Sequence, residues 1–145
     1  DVDGILTDGK IWYGINGEEI KSFNAKDGLA IKTFIKNGIE VCLLSARDSI
    51  PLRNRTKDLG IKHFIFGDEN KLNGCKSLLE KLKINKNQAA FIGDDIIDLE
   101  AMKYCGWSFT VSDAVKPVLD EAKTILNCNG GEGAIREIYN IFSNI

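Results

Sequence analysis

Two aspartates open the sequence, Asp1 and Asp3, and Gly4 follows them directly. In an extended backbone, both carboxylates would point to the same side of the chain. Two negative charges at that spacing favour a cation between them or a proton on one of them. Gly4 permits a sharp turn and a close approach of the main chain to a ligand. The stretch therefore indicates a metal site, although a solvated acidic turn is an equally good interpretation of these residues alone.

Further polar side chains recur where apolar runs end or just beyond. In sequence order they are Ser45, Lys71, Asp94 and Asp95. Because ligands of open parallel sheets bind beyond the carboxyl ends of the strands, we expect these side chains to converge with Asp1 on one edge of a sheet. Each also has a simpler interpretation: a surface position for Lys71, a helix N-cap for Ser45, and helix N-terminal charges for the aspartate pair.

A divalent cation suits the carboxylates of this set. Mg²⁺ prefers one or two carboxylates together with water and phosphate oxygens, and Asp1, Asp94 and Asp95 offer such ligands. An ion bound there would neutralise charge on a phosphoryl group during an in-line displacement. The residues thus predict a Mg²⁺ site for phosphoryl transfer.

The remaining chemistry divides among four side chains. Asp1 could attack phosphorus and form an aspartyl-phosphate. Asp3, close to the metal but not on it, could protonate the leaving oxygen and then activate water. Lys71, as a point charge, and Ser45, as a hydrogen-bond donor, could hold the equatorial phosphoryl oxygens.

Strand and helix patterns alternate along most of the chain, which predicts an α/β fold with a parallel sheet and helices on both faces. Apolar runs predict strands at 39–44, 63–66, 89–92, 108–111 and 124–126. Helical patterns occupy the residues before Gly38, 51–59, 70–82, 99–104, a short stretch from 114, and 134–142. Before these units, Asn16-Gly17 separates the runs 11–15 and 19–23, which predicts a hairpin whose two central residues both have positive φ.

Composition restricts the function classes. The chain has 145 residues, 43% of them hydrophobic, and a net charge of −2, as expected for one globular domain that binds neither nucleic acid nor an anionic membrane. No apolar run approaches the roughly 20 residues of a membrane span. The four cysteines are scattered, which predicts a reduced, cytoplasmic protein without a zinc site, and the single His63 excludes a multi-histidine metal centre.

The four clusters, in their order, spacing and context, resemble the motifs of haloacid dehalogenase-like phosphatases. These motifs are D-x-D-G-x-x-T-D-G at 1–9, the serine at 45, the lysine at 71 and G-D-D-x-x-D at 93–98. Within that superfamily the chain looks like the 3-deoxy-D-manno-octulosonate 8-phosphate phosphatases and their nonulosonate 9-phosphate relatives. The residues that carry this narrower resemblance are 16–19, 23–24, 27–28, 92–98 and 130–137.

The resemblance implies a three-layer, Rossmann-like fold without a cap domain and with a protruding hairpin at about 11–23. It implies Asp1 as nucleophile, Asp3 as general acid and base, and Mg²⁺ held by the Asp1 carboxylate, the Asp3 carbonyl and Asp94, with Asp95 and Asp98 in support. The hairpin would build a homotetramer, and a neighbouring subunit's tail would help close the site. The substrate, an anionic sugar-acid phosphate, would contact Asn24, Ala25, Lys26, Asp27, Gly28, Lys32, Arg47, Arg55 and Lys71.

Three features depart from the family pattern. Ala46 stands where octulosonate enzymes usually have glycine, and Glu132 stands where they often have arginine or lysine. Both bear on which sugar is the substrate. The family also places a buried strand directly before the nucleophile, so we expect residues upstream of Asp1.

Alternative functions remain open at this point. The same chemistry could act on the 9-phosphate of a sialic-acid-like sugar. A phospho-accepting receiver domain shares the acidic cluster, the hydroxyl and the lysine, but it does not pair its aspartate with a second one like Asp3. A non-catalytic oligomerising module of a sugar-nucleotide synthase would be expected to lose its catalytic carboxylates, whereas Asp1, Asp3, Lys71 and Asp94 are all present.

Overall fold

The structure, a computed structural model, describes residues 1–143. Its strands are β1 (Trp12–Tyr13), β2 (Glu19–Ile20), β3 (Cys42–Ser45), β4 (His63–Phe66), β5 (Ala90–Ile92), β6 (Trp107–Thr110) and β7 (Thr124–Ile125). Its helices are α1 (Ala25–Lys36), α2 (Ile50–Leu59), α3 (Lys71–Leu82), α4 (Leu99–Tyr104), α5 (Lys116–Glu121) and α6 (Ala134–Ser143). No helix among these residues is long and apolar enough to cross a bilayer.

Five strands form two parallel units. β3 pairs with β4, and β6 lies between β5 and β7. Within residues 1–143 no strand pairing joins the two units, but Asp1 contacts both of them. Its main-chain nitrogen donates to the Ile92 carbonyl at the end of β5 at 2.9 Å. Its carboxylate accepts from Lys71, which also donates to the Leu44 carbonyl in β3. The predicted α/β fold with parallel strands is confirmed, and the segment after Asp1 lies between the units.

Helices cover both faces of the strands. Leu43 and Leu44 are neighbours on β3, so their side chains point to opposite faces. Leu43 belongs to a core with Leu52 of α2 and Ile31 of α1, whereas Leu44 belongs to the larger core that includes Leu78 of α3. Two apolar layers thus sandwich the strands, as the near-continuous apolar run in β3 predicts for a buried parallel strand.

The hairpin forms, but its turn differs from the prediction. Gly17 has a φ of +81°, whereas Asn16 is not among the residues with positive φ. The Gly17 N–H donates to the Gly14 carbonyl at 3.0 Å, and the Gly14 N–H donates to the Glu18 carbonyl at 2.8 Å. This is the hairpin class in which a turn is followed by one left-handed glycine, and it needs positive φ only at Gly17. The two strands are also shorter than the predicted 11–15 and 19–23.

Other boundaries differ by one to three residues. β3 begins at Cys42 rather than at 39, and two short 3₁₀ turns, Lys86–Gln88 and Ile96–Asp98, were not predicted. Gly60 ends α2 in the left-handed conformation with a φ of +72°, as expected for a helix stop.

Candidate active site

A buried lysine lies at the centre of the site. Lys71 is the first residue of α3 and its residue is only 1% exposed. Its Nζ lies 2.5 Å from Asp1 Oδ1 and 3.0 Å from Asp98 Oδ1, and it donates to the Leu44 carbonyl at 3.3 Å. A buried ammonium is costly unless it is paired and hydrogen-bonded, and these three oxygens satisfy its three N–H donors. The interpretation of Lys71 as a surface lysine is therefore wrong.

Asp98 shapes the loop that follows β5. Its Oδ2 accepts the N–H groups of Asp94 and Asp95 at 3.1 and 3.3 Å, while its Oδ1 binds Lys71. A Cβ on Gly93 would lie 2.3 Å from the Asp98 Cβ, so the loop requires glycine there. Asp98 thus joins the loop to Lys71, and both of its oxygens are occupied in doing so.

Three carboxylates meet beside Lys71. One oxygen each from Asp1, Asp94 and Asp98 lies within 4.8 Å of the others. Burial, followed by repulsion from Asp98 and Asp95, raises the pKa of Asp94 to about 6. Because Asp98 is fully engaged, Asp1 and Asp94 are the two carboxylates able to hold a cation. A pair of carboxylates with room for water and phosphate oxygens fits the preferences of Mg²⁺.

The Asp94 carboxylate lies directly against Gly4. Gly4 has a φ of +89°, and a Cβ there would come within 2.0 Å of Asp94 Oδ2. Glycine is therefore required at this position by both its backbone conformation and its neighbour. Gly130 closes the other side of the same loop, since its own Cβ would lie 2.0 Å from the Gly4 carbonyl oxygen.

Two of the predicted metal ligands do not join the carboxylate cluster. Asp95 is exposed, and its Oδ1 accepts the N–H of Ile96 at 2.6 Å as the cap of a 3₁₀ turn. The Asp3 carboxylate instead accepts from Lys21. Residues 1–3 form no strand, and Asp3 lies in a turn, so the alternation that would place the two side chains together does not apply. Asp95 as a metal ligand therefore stays a prediction: its carboxylate caps the 3₁₀ turn outside the cluster, and the third carboxylate of the cluster is that of Asp98.

Ser45 ends β3 with its side chain buried. Its Oγ accepts the Arg47 N–H at 3.1 Å, and its carbonyl accepts the Gly67 N–H at 2.9 Å. The N-cap of α2 is Ser49, so the interpretation of Ser45 as that cap is wrong. Ser45 lies next to Leu44, whose carbonyl binds Lys71, which places both predicted phosphate ligands at the end of β3.

A charged chain connects Asp3 to the loop after β3. Lys21 Nζ contacts the Asp3 carboxylate and lies 3.0 Å from Glu19 Oε1, and Glu19 Oε2 accepts from Arg47 at 2.8 Å. Burial alone would raise the pKa of Glu19, but Arg47 and Lys21 outweigh it and lower that pKa. Glu19 and Lys21 were not predicted as site residues. Their spacing of two, which places side chains on one face of an extended chain, was the available signal, although β2 itself ends at Ile20.

Several residues that are predicted to contact the substrate also hold helices together. Asp27 is buried and its Oδ1 accepts the Arg136 N–H in the first turn of α6 at 2.9 Å, while burial raises its pKa. A Cβ on Gly28 would lie 2.5 Å from Arg55 Nη2, which itself donates to the Asn24 carbonyl at 3.2 Å. The three predicted residues Asp27, Gly28 and Arg55 thus form a scaffold between α1, α2 and α6.

The other predicted substrate residues are more accessible. Ala25, Lys26 and Lys32 are exposed, and within residues 1–143 neither lysine side chain makes an ion pair. Asn24 caps α1 by accepting the Lys26 N–H at 2.9 Å, and its amide donates to the Gly131 carbonyl at 3.1 Å. The start of α1 is thereby joined to the glycine-rich segment before α6.

Comparison with known proteins gives consistent matches. The family model for haloacid dehalogenase-like hydrolases matches residues 65–138. The 3-deoxy-D-manno-octulosonate 8-phosphate phosphatase KdsC of Haemophilus influenzae is 47% identical over 138 residues, which cover 95% of this chain and 77% of that protein. KdsC of Escherichia coli K12 is 40% identical over 141 residues, which cover 97% of this chain and 75% of the relative.

Solved structures agree with the sequence comparison. The cobalt-bound deoxy-D-mannose-octulosonate 8-phosphate phosphatase of Haemophilus influenzae matches with a TM-score of 0.95 and 45% identity, over 99% of this chain and 84% of that one. The Moraxella catarrhalis enzyme, in complex with magnesium, phosphate and a KDO molecule, matches with a TM-score of 0.96 and 36% identity, over 99% and 83% of the two chains. The chain therefore belongs to the haloacid dehalogenase-like hydrolases, in the family of the 3-deoxy-D-manno-octulosonate 8-phosphate phosphatases.

Proposed function

We propose that this phosphatase is a Mg²⁺-dependent phosphomonoester hydrolase that acts on 3-deoxy-D-manno-octulosonate 8-phosphate. The observation that carries the proposal is that two aspartates have different surroundings. The Asp1 carboxylate lies against Lys71 and Asp94, whereas the Asp3 carboxylate is held apart from them by Lys21. We therefore assign one aspartate to the metal and the phosphoryl group, and the other to proton transfer. The relatives named for this substrate, at 40–47% identity, support the choice of sugar.

The proposed reaction has two steps. An Asp1 oxygen attacks phosphorus, the ester P–O bond breaks, and Asp3 gives its proton to the leaving oxygen. Asp3, now ionised, takes a proton from water, which attacks phosphorus, breaks the bond to Asp1 and releases phosphate. Lys71 and Ser45 hold the phosphoryl oxygens during both steps.

Asp1 and Asp94, with the Asp3 carbonyl, are the proposed Mg²⁺ ligands, and the bound ion would offset negative charge on the phosphoryl group. The repulsion that raises the Asp94 pKa supports this assignment, because a cation would relieve it.

Lys26, Lys32 and Arg47 are the proposed contacts for the anionic sugar acid. The first two are exposed and carry no ion pair within the described chain, so their charge is free to attract an anion. Arg47 follows Ser45 and is therefore next to the proposed phosphate site. Asp27, Gly28 and Arg55 act indirectly in this proposal, by fixing the start of α1.

The test is Mg²⁺-dependent phosphate release from a substrate panel. The panel holds octulosonate 8-phosphate, a nonulosonate 9-phosphate and a simple hexose phosphate. Asp1→Asn and Asp3→Asn should abolish release from the 8-phosphate, while the matched control Asp120→Asn, on the exposed face of α5, should retain it. Preference for the 9-phosphate would leave the proposed mechanism in place and change the substrate to a nonulosonate 9-phosphate. No release from any ester by folded, Mg²⁺-loaded protein would overturn the proposal and favour a non-catalytic module.

We also propose a homotetramer built through the hairpin. Trp12 and Tyr13 are more than half exposed and Ile15 is fully exposed, a cluster of apolar side chains that an isolated subunit would leave in water. Light scattering should give the mass of a tetramer for the wild type and a smaller mass for Ile15→Asp combined with Trp12→Ser. A monomeric wild type would contradict the proposal.

Two further assignments are proposals of the same kind. Residues 1–145 are proposed to form one phosphatase domain, since Val41 and Ile135 contact both apolar cores. A cytoplasmic location is proposed because all four cysteines are free thiols, as expected in a reducing compartment.

A further inference from the structure

Lys21, the residue after the second strand of the hairpin, brings a buried ammonium to Asp3. The Lys21 side chain is 0% exposed, although it belongs to a short hairpin that is otherwise largely in solvent. Its ammonium contacts the Asp3 carboxylate and lies 3.0 Å from Glu19 Oε1. A lysine is rarely buried without paired charges, and here it lies between two carboxylates.

We propose that Lys21, held in place by Glu19, is a positioning residue for the Asp3 carboxylate in the proton transfer to the leaving group. The inference rests on the proposed function, in which Asp3 is the general acid. It adds a role for two hairpin residues that lie outside the motifs carrying the chemistry.

The contact pattern at Asp3 supports an orienting role. Lys21 binds Oδ1 of Asp3, and within residues 1–143 no side chain or main-chain N–H donates to Oδ2. Fixing one oxygen of a carboxylate orients the other, which is then directed to the leaving oxygen. A general acid must lie within hydrogen-bond reach of the atom that it protonates, so its orientation affects the rate.

Glu19 connects this contact to the opposite side of the site. Its two oxygens are divided between Lys21 and Arg47, and the Arg47 guanidinium also reaches the Tyr13 hydroxyl at 3.5 Å. The chain of alternating charges from Asp3 to Arg47 thus passes through Lys21 and Glu19, and Tyr13 of β1 adds a neutral hydroxyl at its Arg47 end. The hairpin sets the position of the acid and of the arginine together.

The leaving group provides the test. General-acid catalysis matters for an alkoxide, which is a poor leaving group, and matters little for p-nitrophenolate, which departs without a proton. We would measure kcat/KM for octulosonate 8-phosphate and p-nitrophenyl phosphate with wild type, Lys21→Met, Lys21→Arg, Glu19→Gln and Asp3→Asn. Because kcat/KM reports the steps up to cleavage of the ester, the later water step does not enter.

Lys21→Met should lower kcat/KM for the sugar phosphate by about ten- to a hundredfold, which is part of the rate factor of about 10²–10⁴ that a general acid typically contributes. The same variant should change kcat/KM for p-nitrophenyl phosphate by less than about threefold. Glu19→Gln should show a smaller selective loss, and it serves as the readout where Lys21→Met does not fold. Lys21→Arg should restore part of the selectivity. The control Lys10→Met, at an exposed lysine of the same segment, should change neither value.

The outcomes separate the inference from the function on which it rests. An equal loss for both esters in the Lys21 and Glu19 variants would show a merely structural role and overturn the inference. If Asp3→Asn lowers kcat/KM equally for both esters, Asp3 does not act as the general acid and the proposed function fails at that point. If Asp3→Asn lowers kcat/KM only for octulosonate 8-phosphate, and the Lys21 and Glu19 variants show no such selective loss, the proposed function stands and the inference about Lys21 is overturned.

Discussion

Replacing Lys71 by methionine tests the charge balance at the centre of the site. Methionine keeps most of the length and the apolar stem but removes the ammonium that separates Asp1 from Asp98. Asp98 is fully buried and the Asp1 side chain is 9% exposed, so neither carboxylate can recover its hydration. The variant leaves two buried negative charges facing each other, with Asp94 close by.

The expected cost follows from these contacts. Breaking a buried ion pair by removing one partner destabilises a protein by about 3–5 kcal/mol. At about 2–4 °C per kcal/mol for a chain near this size, the metal-free Lys71→Met protein should melt about 6–20 °C below the wild type. Mg²⁺ should raise the melting temperature of the variant more than that of the wild type, because the ion would offset charge that Lys71 no longer neutralises.

The assay is thermal unfolding followed by circular dichroism, in EDTA and in Mg²⁺. The matched control is Lys116→Met, which removes an 82% exposed lysine paired with Asp120 at 2.9 Å and should cost less than about 1 kcal/mol. A metal-free Lys71→Met protein that melts with the wild type would refute the reasoning, since it would mean that the buried carboxylates do not depend on the lysine.

Three further predictions concern the carboxylate cluster and the glycines around it. The folded-state pKa of Asp94 is about 6, above its ordinary 3.8, so metal-free stability should fall as pH rises through that interval, and Asp94→Asn should raise the metal-free melting temperature at pH 7.5. Protons also compete with Mg²⁺ for the Asp94 carboxylate, so the Mg²⁺ affinity measured by calorimetry should fall about tenfold per pH unit below about pH 6. An affinity that does not depend on pH between 5 and 7 would contradict this prediction. Gly130→Ala should lower both the stability of the fold and the rate of phosphate release, because its Cβ would lie 2.0 Å from the Gly4 carbonyl oxygen. The control is Gly38→Ala, since Gly38 has a φ of +80° and open space around it. This control should cost about 1 kcal/mol of stability and leave phosphate release unchanged.

The fold was largely predictable because its signals are local. The alternation of apolar runs and helical patterns predicted the five parallel strands, and Gly60 marked a helix end through its own backbone preference. The hairpin turn was mispredicted because Asn16-Gly17 fits two turn classes, which differ in whether Asn16 also has a positive φ and in where the flanking strands begin to pair. Sequence alone does not distinguish them, since the pairing depends on Gly14 and Glu18.

The site was predictable where a motif marks it and not where contacts decide it. Asp1, Lys71 and Asp94 came together as expected. Lys71 and Asp94 come shortly after the ends of β4 and β5, and the main-chain nitrogen of Asp1 donates to Ile92 at the end of β5. Which of Asp95 and Asp98 joins the carboxylate cluster could not be predicted, since it depends on which carboxylate turns back to cap the loop.

Long-range contacts account for the residues that were missed. Lys21 is 18 residues from Asp3, and no sequence pattern shows that the hairpin folds back over it. Likewise, Asp27 contacts a helix that begins more than 100 residues later, so its structural role with Arg136 was not visible in its own segment.

The most direct test of the account is detection of the phosphoryl group on Asp1. In Asp3→Asn, the base that activates water is absent, so an aspartyl-phosphate formed from p-nitrophenyl phosphate should accumulate. Acid quenching followed by peptide mass spectrometry should find one phosphoryl group on the peptide that contains Asp1, dependent on Mg²⁺ and absent in Asp1→Asn combined with Asp3→Asn. Release of p-nitrophenol without any phosphorylated peptide, or a phosphoryl group on another residue, would contradict the assignment of Asp1 as the nucleophile.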